Sequence, residues 1–467
     1  MSGFKPYPAY KDSRVEWLGA VPEHWSLHKL KYIARFSGGG TPSRESLAYW
    51  NGDIPWVSPK DMKVEVIVGA EENITAEGLQ NSTTSLVPSG GILIVVRSGI
   101  LKHTIPVAVN NIEVALNQDM KALRFNPKLA LYSFFLRWVQ GFNKQLLHVW
   151  LKQGATVESI EQEYLADTTV PMPGIDEQRM IVTFLNHETA RIDALIAEQQ
   201  RLIELLKEKR QAIISHVVTK GLDPTVPMKD SGMEWVGEVP VHWAVKRLKQ
   251  LVLDAGGIQM GPFGGMLVEL DDSDTGYKVY GQENTISGDF SSGNRWIPEH
   301  RYISLSNYHL EVGDIVLTRK GSLGNCRRVS LLPQAGIIDS DTIRVRVQDQ
   351  TMDPDYLELL LHESDYISTQ LNLVKRGAIL SGLNSEIIAN LVIIVPPRDA
   401  QEELVLEIKA DSSKFNQGIS DCEFAVGLLR ERRSALISAA VTGKIDVRDW
   451  HPPAGSQAPV QELEEAV

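Results

Sequence analysis

Only two cysteines occur in 467 residues, Cys326 and Cys422, and neither belongs to a CxxC pair or a Cys/His pattern. That excludes a disulfide framework and a cysteine-based zinc centre. No run of 18 apolar residues is present, which excludes a membrane-spanning helix. The opening stretch MSGFKPYPAYKDSR has no apolar signal core, so a cytoplasmic protein is expected. There is no GxxxxGK(S/T) phosphate loop and no HExxH motif, which removes a P-loop ATPase engine and a zincin-type site.

Positive charge is also scarce. The net charge of −12 is wrong for a protein that coats phosphates unspecifically. It is unevenly spread: residues 1–150 hold 16 Lys+Arg against 12 Asp+Glu, whereas 223–397 hold 15 against 23. Apolar content of 43% and aromatic content of 7% fit a folded globular protein.

What the chain does have is a repeat, which governs any further reading. DSRVEWLGAVPEHWSLHKLK (12–31) and DSGMEWVGEVPVHWAVKRLK (230–249) are identical at 11 of 20 positions. A second match joins 154–223 to 377–446 at a constant offset. The chain is a tandem duplication of a unit of roughly 220 residues, each a globular part followed by a long helix. The runs ILIVV (92–96), DIVLT (314–318), TIRVRV (342–347) and LVIIV (391–395) predict strands. Shorter helices are expected over 128–140 and 353–370. The EWxGxVPxHW box suits packing, and a structural role is expected for His24 and His242.

The long helices are the clearest elements. Alternating steps of four and three from Ile181 reach Leu185, Glu188, Ile192, Leu195, Gln199, Leu202, Leu206, Lys209, Ile213 and His216. This is a coiled-coil seam, and at 1.5 Å per residue it makes a rod of roughly 54 Å. The equivalent stripe of 400–441 runs from Leu404 through Asp411, Phe415, Cys422, Leu429 and Arg432 to Ala439. Packed antiparallel about a pseudo-twofold axis, residue i would face residue 620 − i. Glu188 would then pair with Arg432 and Lys209 with Asp411, fixing the register of the helices.

The expected fold is α/β in the α+β sense: two β-rich globular domains separated by two long helices packed as an antiparallel coiled coil. The boundaries are 1–175, a helix over 176–222, 223–398, a second helix over 399–447, and a Pro-, Ala- and Glu-rich tail over 448–467 expected to be disordered.

A search for chemistry finds no catalytic constellation. Asp353-Pro354-Asp355-Tyr356 is nearest to the Asn/Asp-Pro-Pro-Tyr box of adenine methyltransferases, but Asp355 replaces the second Pro and the stretch opens a helix. SGGGTPSR (37–44) lacks the strand–GxGxxG–helix setting of a cofactor loop. The whole nevertheless resembles the specificity (S) subunits of type I restriction–modification systems. The resemblance is carried by SGGGTPSRESLAYWNGDIPWVSPKDM (37–62), GPFGGMLVE (261–269) with VYGQENTISGDF (279–290), the exit stretch 154–178 and SAAVTGKIDVR (438–448).

It implies a DNA-binding chain with no catalysis and no cofactor of its own. Each target-recognition domain would read one half of a bipartite, gapped site on double-stranded DNA, with the helices as a ruler. Half-sites one DNA turn apart, about 34 Å, suit such a rod. Two modification subunits would bring S-adenosylmethionine and methylate adenine; restriction subunits would bring ATP and Mg. The alternatives are a coiled-coil DNA-binding regulator without an enzyme partner and a self-contained methyltransferase. Base reading is expected where the domains differ. The candidates are Thr41, Ser43, Arg44, Lys60, Arg97, Ser98, Lys102, His103 and Lys121 in the first, and Gln259, Tyr280, Gln282, Asn284, Arg319, Lys320, Arg327 and Arg328 in the second. Most of them can contact base edges; Lys152 and Lys375, each before a Gly-Ala corner, suit phosphate.

Overall fold

The computed structural model describes residues 5–152, 154, 157–267, 269–270, 275–319, 325–377 and 382–452, and for 264 and 374–377 the backbone alone. Two helices dominate, Ile175–Lys220 and Arg398–Val441. Pro173-Gly174 and Pro396-Pro397 precede them, and each ends at a glycine in the left-handed region, Gly221 at φ +77° and Gly443 at φ +71°. Asp176 and Glu177 in the first turn of the first helix, and Asp399 in that of the second, complement the positive helix start. Among the described residues no helix is long and apolar enough to cross a membrane.

The chain divides into two compact units, residues 1–200 with 424–467, and residues 201–423. The cuts fall inside both long helices rather than at their ends, so each unit owns one globular part and one half of each helix.

In the first unit, a five-stranded sheet has the order 34–38, 120–125, 91–95, 107–110, 66–67, and a three-stranded sheet the order 115–116, 50–57, 73–74. In the second, 258–260, 342–345, 315–318 and 326–328 form one sheet, and 296–297, 277–280, 336–338 and 309–310 the other. The expected strand runs are therefore present. The entry strand pairs with the exit strand in both units, 26–29 with 169–172 and 244–247 with 392–395, so each domain hangs from a closed stem. The helix expected over 353–370 is two, Pro354–Glu363 and Asp365–Gly377, broken at Ser364. Asp353 opens the first as its cap, its carboxylate accepting the Tyr356 N–H at 3.0 Å with Pro354 in the first turn.

The first unit's core joins Trp25, Trp138, Trp150 and Phe184 to Leu436–Val447 of the second long helix and its exit. In the second unit Val239 and Trp243 lie with Ile214, Val218, Leu404 and Ile408. Each copy of the EWxGxVPxHW box thus sits where one helix begins and the other ends. Order in the first unit extends past Val447, because the Trp450 ring packs 5.3 Å from Phe184 and 5.3 Å from His187; the tail from 453 lies outside the described residues.

The helices run antiparallel within each unit, but in a different register from the expected one. In the first, Arg433 Nε donates to Asp193 Oδ1 at 2.9 Å. In the second, Arg210 Nη1 donates to Asn416 Oδ1 at 2.8 Å. The facing residue numbers add to 626, not 620. Glu188 instead pairs with Arg191 at 3.1 Å and Asp411 with Lys414 at 2.9 Å, Lys209 lies over the Phe415 ring, and Arg432 is exposed. The cause is one step in the stripe. After Ile192 it advances by four to Ile196 rather than by three to Leu195, so Ile203 is buried at 8% while Leu195 and Leu202 are 52% and 41% exposed. Arg432→Glu should accordingly shift stability by less than about 0.5 kcal/mol, whereas Arg433→Glu sets like charges together. Urea unfolding of the two variants distinguishes them, and a large loss for Arg432→Glu would reject this register.

Candidate nucleic-acid interface

The two domains share one corner. In the first, Gly39 lies so close to the strand end at Asn117 that a Cβ would collide with the Asn117 carbonyl; in the second, one at Gly261 would collide with the Asp339 carbonyl. Only glycine allows this approach. Beside it stand Arg97 and Arg319, whose N–H groups donate to the carbonyls of Asp119 (3.3 Å) and Asp341 (2.9 Å). The exit segment closes the corner: Ser98 N–H donates to Glu158 O at 3.1 Å, and Leu383 N–H to Arg319 O at 2.9 Å.

Five of the first domain's candidates gather here. Thr41 hydrogen-bonds Gln118. Arg97 Nε donates to Asp119 Oδ1 at 2.6 Å, Lys121 Nζ to Gln162 Oε1 at 2.8 Å, and Lys152 stands 3.6 Å from Glu161. Burial lowers the Lys121 ammonium's pKa. Ser98 caps the short turn Gly99–Lys102, which leaves Lys102 and His103 exposed. Ser43, Arg44 and Lys60 lie apart. Arg44 stacks 3.7 Å over Trp50 while both terminal nitrogens bond Glu72; that hydrogen bond raises the guanidinium's pKa and holds the Glu72 carboxyl below its usual range. Ser43 accepts the Trp50 indole N–H on its carbonyl at 3.0 Å. Lys60 is exposed nearby.

The second domain departs further from expectation. Tyr280 is 1% exposed, donates its hydroxyl to Gln334 O at 2.7 Å, and has that hydroxyl pushed up to about 12 by burial. Asn284 is also 1% exposed; its side chain accepts the Gly281 N–H and donates to the carbonyls of Asp289 and Ser292. Neither can reach a base edge: both are frame residues, because a buried amide or hydroxyl must satisfy its hydrogen bonds locally. Gln259 donates to its neighbour's carbonyl, Met260 O, at 2.8 Å, and Gln282 is half-buried at the start of a short helix. Arg319 bonds the carbonyls of Leu383 and Ser340, and Arg328 pairs with Asp355 at 3.0 Å. Arg327 is half-buried. Among the described residues the side chains of Lys102, His103 and Arg327 have no ion-pair or hydrogen-bond partner. Lys320 and the Lys375 side chain lie outside the described residues.

Three devices were missed. Gln178 and Gln401, fully buried and at equivalent positions of the two repeats, each tie a helix start to its domain. Gln178 bonds Leu129 O, Pro173 O and Leu131 N–H; Gln401 bonds Thr351 O, Pro396 O and Asp353 N–H. Arg210 and Arg433 are related in the same way. Both pairs were visible as identities between the repeats. The third, Glu177, is buried and accepts Tyr7 Oη (2.7 Å) and Trp25 Nε1 (3.0 Å), with His24 Nε2 at 2.8 Å. Its repeat equivalent is Ala400, so no internal match marked it. Burial, then the bond to Glu177, drives the Tyr7 hydroxyl far above its usual range.

Like scaffolds with unlike side chains, repeated in one chain, define the class: a tandem protein of two globular parts, each joined to long-helix segments of its own unit. Among the described residues no cluster of three or more His, Cys, Asp or Glu could hold a metal ion. Residues 22–205 match the family model of the type I restriction modification DNA specificity domain. The chain is 34% identical over 202 residues to the type I restriction enzyme EcoR124I/EcoR124II specificity subunit of Escherichia coli, covering 43% of this chain and 47% of that one. It is 28% identical over 245 residues to the MjaIX specificity subunit of Methanocaldococcus jannaschii (50% and 53%), and 22% over 409 residues to the EcoKI specificity subunit of Escherichia coli K12 (84% and 82%). The chain spans about half the length of the first two relatives. A solved structure from work on complex assembly and conformational transition of the type I R-M system shares the fold, with a TM-score of 0.68 at 16% identity, over 91% of this chain and 99% of that one.

Proposed function

We propose that this chain is the specificity subunit of a type I restriction–modification system. Each target-recognition domain, within 1–175 and 223–398, reads one half of a bipartite, gapped site in double-stranded DNA. The chain supplies recognition and no bond-making step. Two modification subunits carry S-adenosylmethionine to an adenine in each half-site, and restriction subunits supply the ATP- and Mg-dependent cleavage, all in the cytoplasm. Phosphate contacts from those subunits compensate for the acidic second half of this one.

The observation that carries the reading is the shared corner. Arg97 and Arg319 occupy matching places in two domains that otherwise present different residues. A feature common to both fits what both half-sites share, the phosphate backbone, while the unlike residues around it fit bases. Thr41, Lys102, His103 and Lys121 in the first domain, and Gln259, Gln282 and Arg327 in the second, stay as candidate base readers; Lys152 is a phosphate candidate.

The test is a genome-wide map of N6-methyladenine with and without the gene. Loss of one gapped, two-part motif on deletion is expected. Loss of a short contiguous motif would overturn the two-domain reading, and an unchanged map with no co-purifying methyltransferase would favour a DNA-binding regulator.

A further inference from the structure

Two arginines, Arg433 and Arg210, bridge the long helices, one in each unit. Each joins three separate elements at once. In the first unit, Arg433 of the second helix bonds Asp193 of the first helix at 2.9 Å and reaches Glu65 of the globular part at 3.4 Å. Glu65 is held in turn by Arg137 at 3.0 Å and by Gln140 Nε2 at 2.8 Å, and Arg137 also donates to Asn186 of the first helix at 2.9 Å. Burial alone would raise the Glu65 carboxyl; Arg137, Gln140 and Arg433 together outweigh it and lower the pKa.

In the second unit, Arg210 of the first helix bonds Asn416 of the second at 2.8 Å and stands 3.3 Å from the Glu363 carboxylate of the globular part, without the alignment of a hydrogen bond. Gln211 adds bonds to Glu363 O (2.6 Å) and Asp365 (2.9 Å).

Arg210 and Arg433 stand at equivalent positions of the two repeats, as do Asp193 and Asn416, so these helix contacts descend from the duplication. The glutamates do not. Glu65 follows strand 50–57, whereas Glu363 ends helix 354–363. Two unrelated positions have supplied the same carboxylate to the same guanidinium. That convergence points to a required geometry, not to inherited packing. A guanidinium can serve two acceptors at fixed angles, which an ammonium cannot do.

We propose that Arg433 and Arg210 are positioning residues that lock each recognition domain to the helix pair and so hold the complex to one gap length between half-sites. This rests on the bipartite reading above. One extra base pair moves a half-site by about 3.4 Å, so a domain free to rock on its stem accepts a neighbouring gap. The first clamp has the stronger acceptor set, and its loss has the larger effect.

The experiment uses the assembled complex with its modification subunits and duplexes bearing the mapped half-sites at the natural gap and at gaps one or two base pairs longer or shorter. Methyl transfer from labelled S-adenosylmethionine is read for each. For Arg433→Ala the ratio of neighbouring-gap to natural-gap methylation is expected to rise about tenfold, equivalent to about 1.4 kcal/mol. Arg210→Ala should raise it less, Arg433→Lys should fall between wild type and Arg433→Ala, and the exposed Arg432→Ala should leave it unchanged. A base change within either half-site must still abolish methylation. If Arg433→Ala does not assemble, Arg433→Lys and Arg210→Ala carry the test through the same ratio. An equal fall at every gap, or an unaltered ratio, overturns the positioning role. A wild-type complex indifferent to gap length would instead reject the bipartite reading itself.

Discussion

Trp25→Ala should destabilise the first unit by roughly 4 kcal/mol, the range for emptying a large aromatic site, and by more than Trp243→Ala destabilises the second. Both indoles are buried, at 0% and 3% exposure, and both pack where a helix ends: Trp25 beside Pro22 and Gly443, Trp243 beside Gly221. Only Trp25 also donates to a buried carboxylate, Glu177. A hydrogen bond to a charged acceptor contributes about 1.5–3 kcal/mol, and its loss leaves Glu177 with two donors instead of three. Hydrogen exchange resolved by peptide, read separately over residues 5–200 and 201–423, measures both variants. Equal losses in the two units would mean that Glu177 adds nothing to the first.

The second large effect belongs to the paired glutamines. Gln178→Leu keeps most of the volume but strands the Leu129 and Pro173 carbonyls and the Leu131 N–H inside the domain. Each buried backbone group left unpaired costs about 1–3 kcal/mol, so a loss of roughly 3 kcal/mol or more is expected in the first unit. Gln401→Leu should do the same in the second. Because each glutamine is bonded only within its own unit, the losses in the double variant should add, as they do for distant sites. Urea unfolding of the two single variants and the double variant tests this. A small loss in either would mean that the backbone finds other partners.

The architecture was legible because the duplication was. Repeats at constant offset divide the chain without any structural knowledge, and proline-free, helix-forming composition over 177–218 and 400–441 marks both long helices. The seam was harder. Leu195 and Ile196, like Leu202 and Ile203, offer alternative apolar steps of three and four, and hydropathy alone does not choose between them. The polar contacts Asp193–Arg433 and Asn416–Arg210 mark the register adopted, and they form only with the partner helix in place.

Site residues were read least well in the second domain. Tyr280 and Asn284 have the chemistry of base readers, but burial decides what such groups do, and burial there depends on sheet pairing with a distant part of the chain: strand 277–280 lies against 336–338. Arg44 shows the same limit in the first domain, since its partner Glu72 lies well beyond its local sequence. Gly39 belongs with them: nothing in SGGGTPSR (37–44) announces its close approach to the Asn117 carbonyl, which depends on a strand end far along the chain.

The division of the chain has a consequence for how it is made. The second unit is one continuous segment, Arg201–Glu423, while the first needs both Met1–Gln200 and Phe424–Val467. At a synthesis rate of about 5–20 residues per second, the ribosome takes roughly 10–50 s to supply the intervening stretch. Throughout that delay Phe184, Leu185 and Ile192 have no Leu436, Ile437 or Val441 to cover them. The second unit, made between the two parts of the first, can close while the first still waits for its C-terminal segment.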